Sequence, residues 1–314
     1  MPTLKEIKGR IASVKSTLKI TSAMKLVSSA KLRKAQSAIE AMRPYEEHLQ
    51  AMLSLVSGGP GAVGPAYDSG VSAEKGSLAD GETPAGAGVR VIVAMASNSS
   101  LCGGFNASVI AKVREVRRPG DVVYAIGRKM ADAMRKDGFP SPKDFTALAE
   151  HPAYAPVAAL YEHLAEEVAA GRVSRVLLVY NHFASTARQV PVVEPLLPVL
   201  ADRNARPGAK EKADASLPAA LPAGEAEDRA ADVILEPGRK ELMAALLPKT
   251  LKIKLYAALL DSAASEHAAR TIAMQTATDN GENLLSELTL QYNKGRQQKI
   301  TAEILDLAGG QATK

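Results

Sequence analysis

Tryptophan is absent from this chain of 314 residues, aromatic side chains make up only 4% of it, and a single cysteine, Cys102, stands alone. A lone cysteine can close no intrachain disulfide and build no thiolate metal cage. Disulfide-scaffold, zinc-finger and internal thiol-switch readings therefore fall away, and a reducing compartment is expected. Long apolar runs are missing too. The longest uncharged stretch, residues 91–111, carries Asn98, Ser99, Ser100, Gly103 and Gly104 at its centre, a polar middle that is costly in hydrocarbon. No transmembrane helix is expected. The charged opening Met1-Pro-Thr-Leu-Lys-Glu-Ile-Lys-Gly-Arg10 is followed by no apolar run of the length an export signal needs, so the chain is expected to stay where it is made. What is present, 46% hydrophobic and 23% charged residues, suits a globular protein with a real core and excludes wholesale disorder.

Acidic residues are almost missing from the first 34 positions. There Lys5, Lys8, Arg10, Lys15, Lys19, Lys25, Lys31, Arg33 and Lys34 face Glu6 alone, a local +8 that leaves −3 for the remainder of a chain whose net charge is +5. Such an asymmetry predicts an acidic counterpart: nucleic acid, anionic lipid or an acidic protein surface. A DNA-reading basic zipper keeps its basic block apart from its heptads, whereas here both fall on the same residues. A membrane-surface helix would set Trp or Phe on its apolar face. An acidic protein collar fits best.

Proline is scarce at both ends. Of 18 prolines, all but Pro2 lie between Pro44 and Pro248, and proline inside a helix costs about 3 kcal/mol or more. Residues 3–43, with only Gly9 as a weak breaker, and residues 249 onward, with Gly281 and Gly295 before Gly309-Gly310, therefore read as long helices. Leu4, Ile7, Ile11, Val14 and Leu18 recur at three and four, a coiled-coil seam, and apolar residues then shift to Ile20, Met24 and Val27, which predicts one stutter. At the other end Leu251, Leu255 and Leu259, then Leu285, Leu288 and Tyr292, then Ile300, Ile304 and Leu307 repeat the spacing with Ala-rich links. A helix over 249–307 would be about 90 Å long at 1.5 Å per residue, so part of it must project from the body. Its one available partner in the chain is the N-terminal helix, running antiparallel. Small residues at Ser22, Ala23, Ser28, Ser29 and Ala30 predict a slender pair enclosed by a large partner.

The middle of the chain is different. Residues 89–96 and 173–180 are near-continuous β-branched runs, as doubly covered strands require, and residues 121–126 are a shorter third. Helical stretches are predicted near 107–116, 129–136 and 157–169. Strand and helix alternate, so a small Rossmann-like α/β domain with a largely parallel sheet is expected, with Gln189-Val-Pro-Val-Val-Glu-Pro195 an edge strand at best. The organisation reads as an N-terminal coiled-coil helix at 1–57, a loop or insertion at 58–88 and the α/β domain at 89–202. An Ala/Pro-rich insertion at 203–231, a connection at 232–248, a C-terminal coiled-coil helix at 249–308 and a tail at 309–314 follow.

Chemistry is sought without success. The Gly-rich turn Asn98-Ser-Ser-Leu-Cys-Gly-Gly-Phe-Asn106 sits where an α/β sheet holds phosphate, yet it matches neither G-x-G-x-x-G nor G-x-x-x-x-G-K-[ST] and reads as a structural turn. Cys102 has no histidine in a known nucleophile spacing among positions 48, 151, 163, 182 and 267, and reads as a small packed side chain. Ser265-Glu266-His267 puts a carboxylate beside an imidazole, but neighbours on a helix point about 100° apart and share a site poorly. Ser185-Thr186 carries no triad logic. No catalytic, metal or cofactor site is expected.

The residues at both termini resemble one family. The run Ile7-Lys-Gly-Arg-Ile-Ala-Ser-Val-Lys-Ser-Thr-Leu-Lys-Ile-Thr-Ser-Ala-Met24 and its continuation to Gln36 are similar to the start of the gamma subunit of F-type ATP synthases. So are Leu255-Tyr-Ala-Ala-Leu-Leu260, Ser265-Glu-His-Ala-Ala-Arg270, Ala277-Thr-Asp-Asn280, Leu288-Thr-Leu-Gln-Tyr-Asn-Lys-Gly-Arg-Gln297 with Ile300-Thr301, and the central Leu101-Cys-Gly-Gly-Phe-Asn106. The two insertions lie outside the likeness, and Asn98-Ser-Ser100 departs from the charged Asp-Arg-Gly-like triplet common in the family. The resemblance implies an antiparallel coiled coil inside a ring of alpha and beta subunits, with the α/β domain outside, resting on the epsilon subunit and the membrane c-ring. The implied role is that of a rotor shaft, non-catalytic itself, coupling proton flow to ATP synthesis or hydrolysis on the head, peripheral on the cytoplasmic side of a bacterial inner membrane. By the same likeness Met24 and Arg270 lie near acidic loops of beta, with Lys25 beside Met24 in the same interface, Gln297 and Thr301 lie near the upper contacts, and Glu236 in Leu235-Glu-Pro lies near the foot. A non-rotary coiled-coil scaffold or a nucleic-acid-binding protein is the alternative.

Overall fold

The computed structural model describes residues 3–57, 88–197 and 236–311, and the two Ala/Gly/Pro-rich insertions lie outside it apart from residue 88. The chain begins with helix α1, Leu4–Ser57, and ends with helix α6, Arg239–Gln311. Between them come β1 (Val89–Met95), α2 (Phe105–Val116), β2 (Val122–Ile126), α3 (Arg128–Lys136), α4 (Thr146–Glu150), α5 (Tyr154–Ala169), β3 (Val173–Phe183) and β4 (Gln189–Leu197).

Both terminal helices outrun the limits expected from proline. Pro44 lies inside α1 and Pro248 inside α6, so α6 starts at Arg239, not Lys249, and also runs on past Gly309-Gly310. A proline costs one backbone hydrogen bond and a clash with the preceding turn. Long helices packed on both sides of the interruption absorb that cost, which local rules do not foresee. At 1.5 Å per residue, α6 with its 73 residues is about 110 Å long, and α1 with 54 is about 80 Å.

The sheet runs β2-β1-β3-β4, with β1 parallel to both β2 and β3, and β3 antiparallel to β4. The Pro-bearing strand β4 is the edge, where missing N–H groups break no ladder. Alternate residues of the strands feed two cores. Ile92, Ala94, Val123, Ala125 and Val179 point to α2 and α3, where Val109, Val113, Met130 and Met134 are fully buried. Val91, Val93, Met95, Ile126, Val176 and Leu178 point the other way, to Val157, Leu160, Tyr161 and Leu164 of α5 and to Leu251, Leu255 and Leu259 of α6. The lower part of α6 is therefore a wall of the domain core. Burial of each of those three leucines contributes about 1.5–3 kcal/mol. The domain is built onto the shaft rather than hung from it.

That arrangement corrects one expectation. Leu251, Leu255 and Leu259 do not belong to the coiled-coil seam. They serve the α/β core, while Ala264 packs on Leu32 of α1, and Ile253 and Leu260, also buried, precede it in heptad spacing. Apolar residues on both sides of one helix look like one noisy stripe until the second neighbour is known.

Candidate functional site

The coiled coil is antiparallel and its register is fixed by shape. A Cβ added to Gly295 would sit 3.1 Å from Leu4 Cδ2, and one added to Gly281 would sit 2.7 Å from Leu18 Cδ2. Leu4 and Leu18 thus occupy the hollows left by two glycines, and two heptads along α1 match two heptads back along α6. In the same register Thr278 Oγ1 donates to Thr21 Oγ1 at 3.0 Å, and Thr21 Oγ1 donates to the Leu18 carbonyl. Both hydroxyls are satisfied within the interface, which removes most of the cost of burying them.

No stutter occurs. The seam of α1 passes from half-buried Leu18 to Thr21, Ser28 and Leu32, these three buried, and goes on to Leu49 and Val56. Ile20 and Val27 are instead 58% exposed and Leu26 70% exposed. Hydrophobicity alone points the seam at Ile20, Met24 and Val27. The matching small residues of α6, including Ala264 and Ala268 against Leu32, hold it on the unbroken heptad. The displaced apolar residues form an outward stripe on α1. Most of the nine basic groups of the N-terminal segment are exposed around it, Lys25 being half-buried. Among the described residues none of the nine forms a salt bridge. An apolar stripe flanked by unpaired cations is a surface suited to an acidic partner with its own apolar contacts.

The six residues singled out from the sequence fall into three places. Met24 and Lys25 are half-buried on α1, and Arg270 lies on α6 about one turn from the level that faces them. Gln297 and Thr301 are exposed, one turn apart, with Thr301 Oγ1 donating to the Gln297 carbonyl at 2.9 Å. They lie past Gly295, the partner of Leu4, so among the described residues α6 continues there as a single helix with Ile300, Ile304 and Leu305 exposed. Glu236 is exposed just ahead of α6, at the opposite end of that helix, and its peptide bond to Pro237 is cis.

Arg270 is the unexpected member. It is only 8% exposed, and its Nη1 donates to Glu266 Oε1 at 2.7 Å, one turn away on the same helix. Its Nη2 is buried with no partner. Burial pushes the Glu266 carboxyl up from its ordinary value, outweighing the attraction of Arg270 and of Lys31. Burial, then the charges of Arg270 and Lys31, push His267 down to about 4. The sequence singles out Arg270 but not its pairing with Glu266, which is weighed there against His267, although Glu and Arg four apart are the spacing that brings two side chains together on a helix.

Ser265, Glu266 and His267 engage separate surroundings. Ser265 Oγ donates to the Asn181 carbonyl at 2.9 Å, Glu266 holds Arg270, and His267 Nδ1 is buried without a partner. Ser265 belongs to a dock between β3 and α6 that no sequence motif signals. There Asp261 Oδ1 accepts the Phe183 N–H at 3.0 Å, Asp261 Oδ2 meets His182 Nδ1 at 2.5 Å, and Phe183 packs beside Leu32, Ala264 and Ala268.

The Gly-rich turn is occupied by its own side chains. Asn98 Oδ1 accepts the Arg128 N–H at the start of α3, Asn98 Nδ2 donates to the Thr146 carbonyl, and the Ser97 carbonyl accepts the Lys129 N–H. These bonds tie the turn to the start of α3 and to Thr146, and inside the turn the Ser97 N–H donates to Asn106 Oδ1 at 3.0 Å. Gly127, at φ 94°, brings its Cα so close to the Ala96 carbonyl that a Cβ would lie 2.1 Å from that oxygen. Cys102 is 1% exposed against Phe105 and Ala269, so the turn packs on α6 as well.

Comparison with known proteins agrees with this geometry. A family model described as ATP synthase matches residues 3–313. The chain is 43% identical to an ATP synthase gamma chain of Phocaeicola vulgatus and 42% identical to one of Bacteroides thetaiotaomicron, with 99% of this chain and 99% of each relative covered. In fold it is similar to a chain of the Euglena gracilis mitochondrial ATP synthase rotor in rotational state 1, at a TM-score of 0.60 and 17% identity over 95% of this chain and 98% of that one. A chain from a c-ring-containing assembly of the same enzyme in rotational state 3 gives a TM-score of 0.62 and 19% identity over 98% of this chain and 93% of that one. Matched from end to end by model and relatives alike, the chain belongs to the ATP synthase gamma-chain family.

Proposed function

We propose that this chain is the central rotor shaft of a proton-translocating F-type ATP synthase. Its coiled coil turns inside a ring of alpha and beta subunits, and its foot, near Glu236, rests on the epsilon subunit and the membrane c-ring. The observation that carries this reading is the tip of α6, among the described residues a single helix beyond Gly295 that leaves Ile300, Ile304 and Leu305 uncovered. A lone helix of that kind needs an enclosing protein. Family membership names the enclosure.

ATP chemistry belongs to the ring in this account, and the shaft is non-catalytic. Its part is to be asymmetric and stiff. The buried leucines of α6 in the domain core and the Asp261 and Ser265 contacts to β3 make domain and shaft turn as one body. Met24 and Arg270 lie near acidic loops of beta, Lys25 belongs to the same interface, and Gln297 and Thr301 meet the ring higher up. A rotating contact works through modest, repeated attraction, since one deep well at one angle would stall the cycle. Exposed lysines screened by salt provide that. Among the described residues no helix is long and apolar enough to cross a membrane, and we place the chain peripherally on the cytoplasmic face of a bacterial inner membrane, held there by its partners.

The test is co-purification. A tag on this chain should bring down nucleotide-binding alpha and beta subunits with ATPase activity, while the isolated chain hydrolyses no ATP. Recovery without those subunits, or hydrolysis by the isolated chain, overturns the reading in favour of a scaffold or a different activity.

A further inference from the structure

We propose that Glu266 is a positioning residue that holds Arg270 in reserve and so sets how strongly the shaft grips its acidic surroundings at this level. The inference rests on the shaft reading above. Three observations lead to it. The Glu266 and Arg270 side chains are each only 10% exposed, and they are joined at 2.7 Å along one helix. The Arg270 guanidinium keeps Nη2 buried and unpartnered among the described residues, where Glu266 is its one carboxylate. The surface around them is basic and unpaired, with Lys31 close enough for its charge to act on Glu266 and His267. The partner that fits such a surface is an acidic protein face.

The physical consequence is a choice of partner. With Glu266 in place the pair is neutral, and the positive charge shown to the ring at this level comes from Lys25, Lys31 and their neighbours. Without the Glu266 carboxylate a guanidinium with two unsatisfied nitrogens cannot stay in a nearly dry site. It swings outward, adds one charge to the exposed set, and finds a carboxylate on the ring. Glu266 thereby keeps the rotating contact shallow. Neighbouring Ala269 packs on Cys102 and Phe105 of the Gly-rich turn, which closes the alternative of a sideways retreat under the domain.

The experiment uses the assembled complex carrying Glu266→Gln, Arg270→Gln or both, with ATP hydrolysis measured at low and at high salt. Glu266→Gln is expected to slow hydrolysis by roughly two- to fivefold at low salt, the range of one partly exposed ion pair, and to recover at high salt. Arg270→Gln should abolish this effect, because Glu266 acts through Arg270. A Glu266→Gln effect that persists in the Arg270→Gln background, or that is the same at both salt concentrations, marks a merely structural role and overturns the proposal, as does no effect at all. Glu266→Asp, which keeps the charge but withdraws it, should fall between wild type and Glu266→Gln. If Glu266→Gln does not assemble, Glu266→Asp carries the same test at smaller amplitude, with the same dependence on salt and on Arg270. Failure of the shaft reading would look different: the wild-type chain itself would not come with an ATPase.

Discussion

Exchanging Leu18 and Gly281 probes the register of the coiled coil directly. Leu18→Gly removes the side chain that fills a glycine hollow and puts glycine in a helix interior, which alone costs about 0.8–1 kcal/mol beyond the lost packing. Gly281→Leu gains about that much in helix propensity. It must, however, place a side chain where even a Cβ would meet Leu18 Cδ2 at 2.7 Å, and overpacking costs about 1–3 kcal/mol. The exchange Leu18→Gly with Gly281→Leu restores one large and one absent side chain to the same layer. It should be more stable than the sum of the single changes by about 1 kcal/mol or more, a coupling of the size expected for residues in contact. Leu4→Gly with Gly281→Leu, which mixes two layers, should be additive. Urea midpoints of the full chain, followed by far-ultraviolet circular dichroism, give each value. If the Leu18 and Gly281 changes add within about 0.5 kcal/mol, the two do not face each other and the register is wrong.

Three further outcomes follow from the same contacts. His267 is held neutral, with its pKa lowered from 6.5 to about 4, so the unfolded chain binds more protons there and stability should fall as pH drops from about 6.5 towards 4, by up to about 1.4 kcal/mol per unit. Glu266, pushed up by burial, works in the opposite direction and does not mask it, since His267→Gln leaves Glu266 in place. Urea midpoints at pH 7, 5.5 and 4.5 should fall less steeply in His267→Gln, and an identical acid limb contradicts the assignment. Asp261→Ala strands the Phe183 N–H and should cost about 1–3 kcal/mol, with faster amide exchange at Phe183; unchanged exchange would remove Asp261 from the dock. Met24→Lys adds a charge beside the exposed apolar stripe and should lower proton pumping per ATP hydrolysed at low salt, with recovery at high salt as the Debye length falls to about 3 Å at 1 M. An unchanged ratio at both ionic strengths takes this contact out of the mechanism.

Much of the architecture was legible in the residues because two periods dominate them. The β-branched runs at Val89 and Val173 and the three-four spacing from Leu4 to Leu18 each have one physical reading, and the strands and α1 follow them. What escaped was set by tertiary contact. The seam beyond Leu18 is decided by Gly281, Thr278 and the alanines of α6, not by the most apolar face of α1. Leu251, Leu255 and Leu259 have helical spacing whichever neighbour they serve, and only the folded sheet assigns them to the domain. Pro44 and Pro248 obey a rule that long packed helices can override. At the site, Arg270 carried the right residue type, but its partner did not emerge, because Glu266 was compared with the adjacent His267 instead of the residue one turn on.

Rotation of the chain within its complex is the measurement that bears most directly on the shaft reading. Lys136 is exposed on α3, and Lys136→Cys, with Cys102 buried and the only native thiol of the chain, offers an attachment point for a bead. With the alpha and beta subunits fixed to glass, the bead should turn in one direction while ATP is hydrolysed and stop when ATP is withdrawn. A complex that hydrolyses ATP at its full rate while the bead stays still would contradict the account.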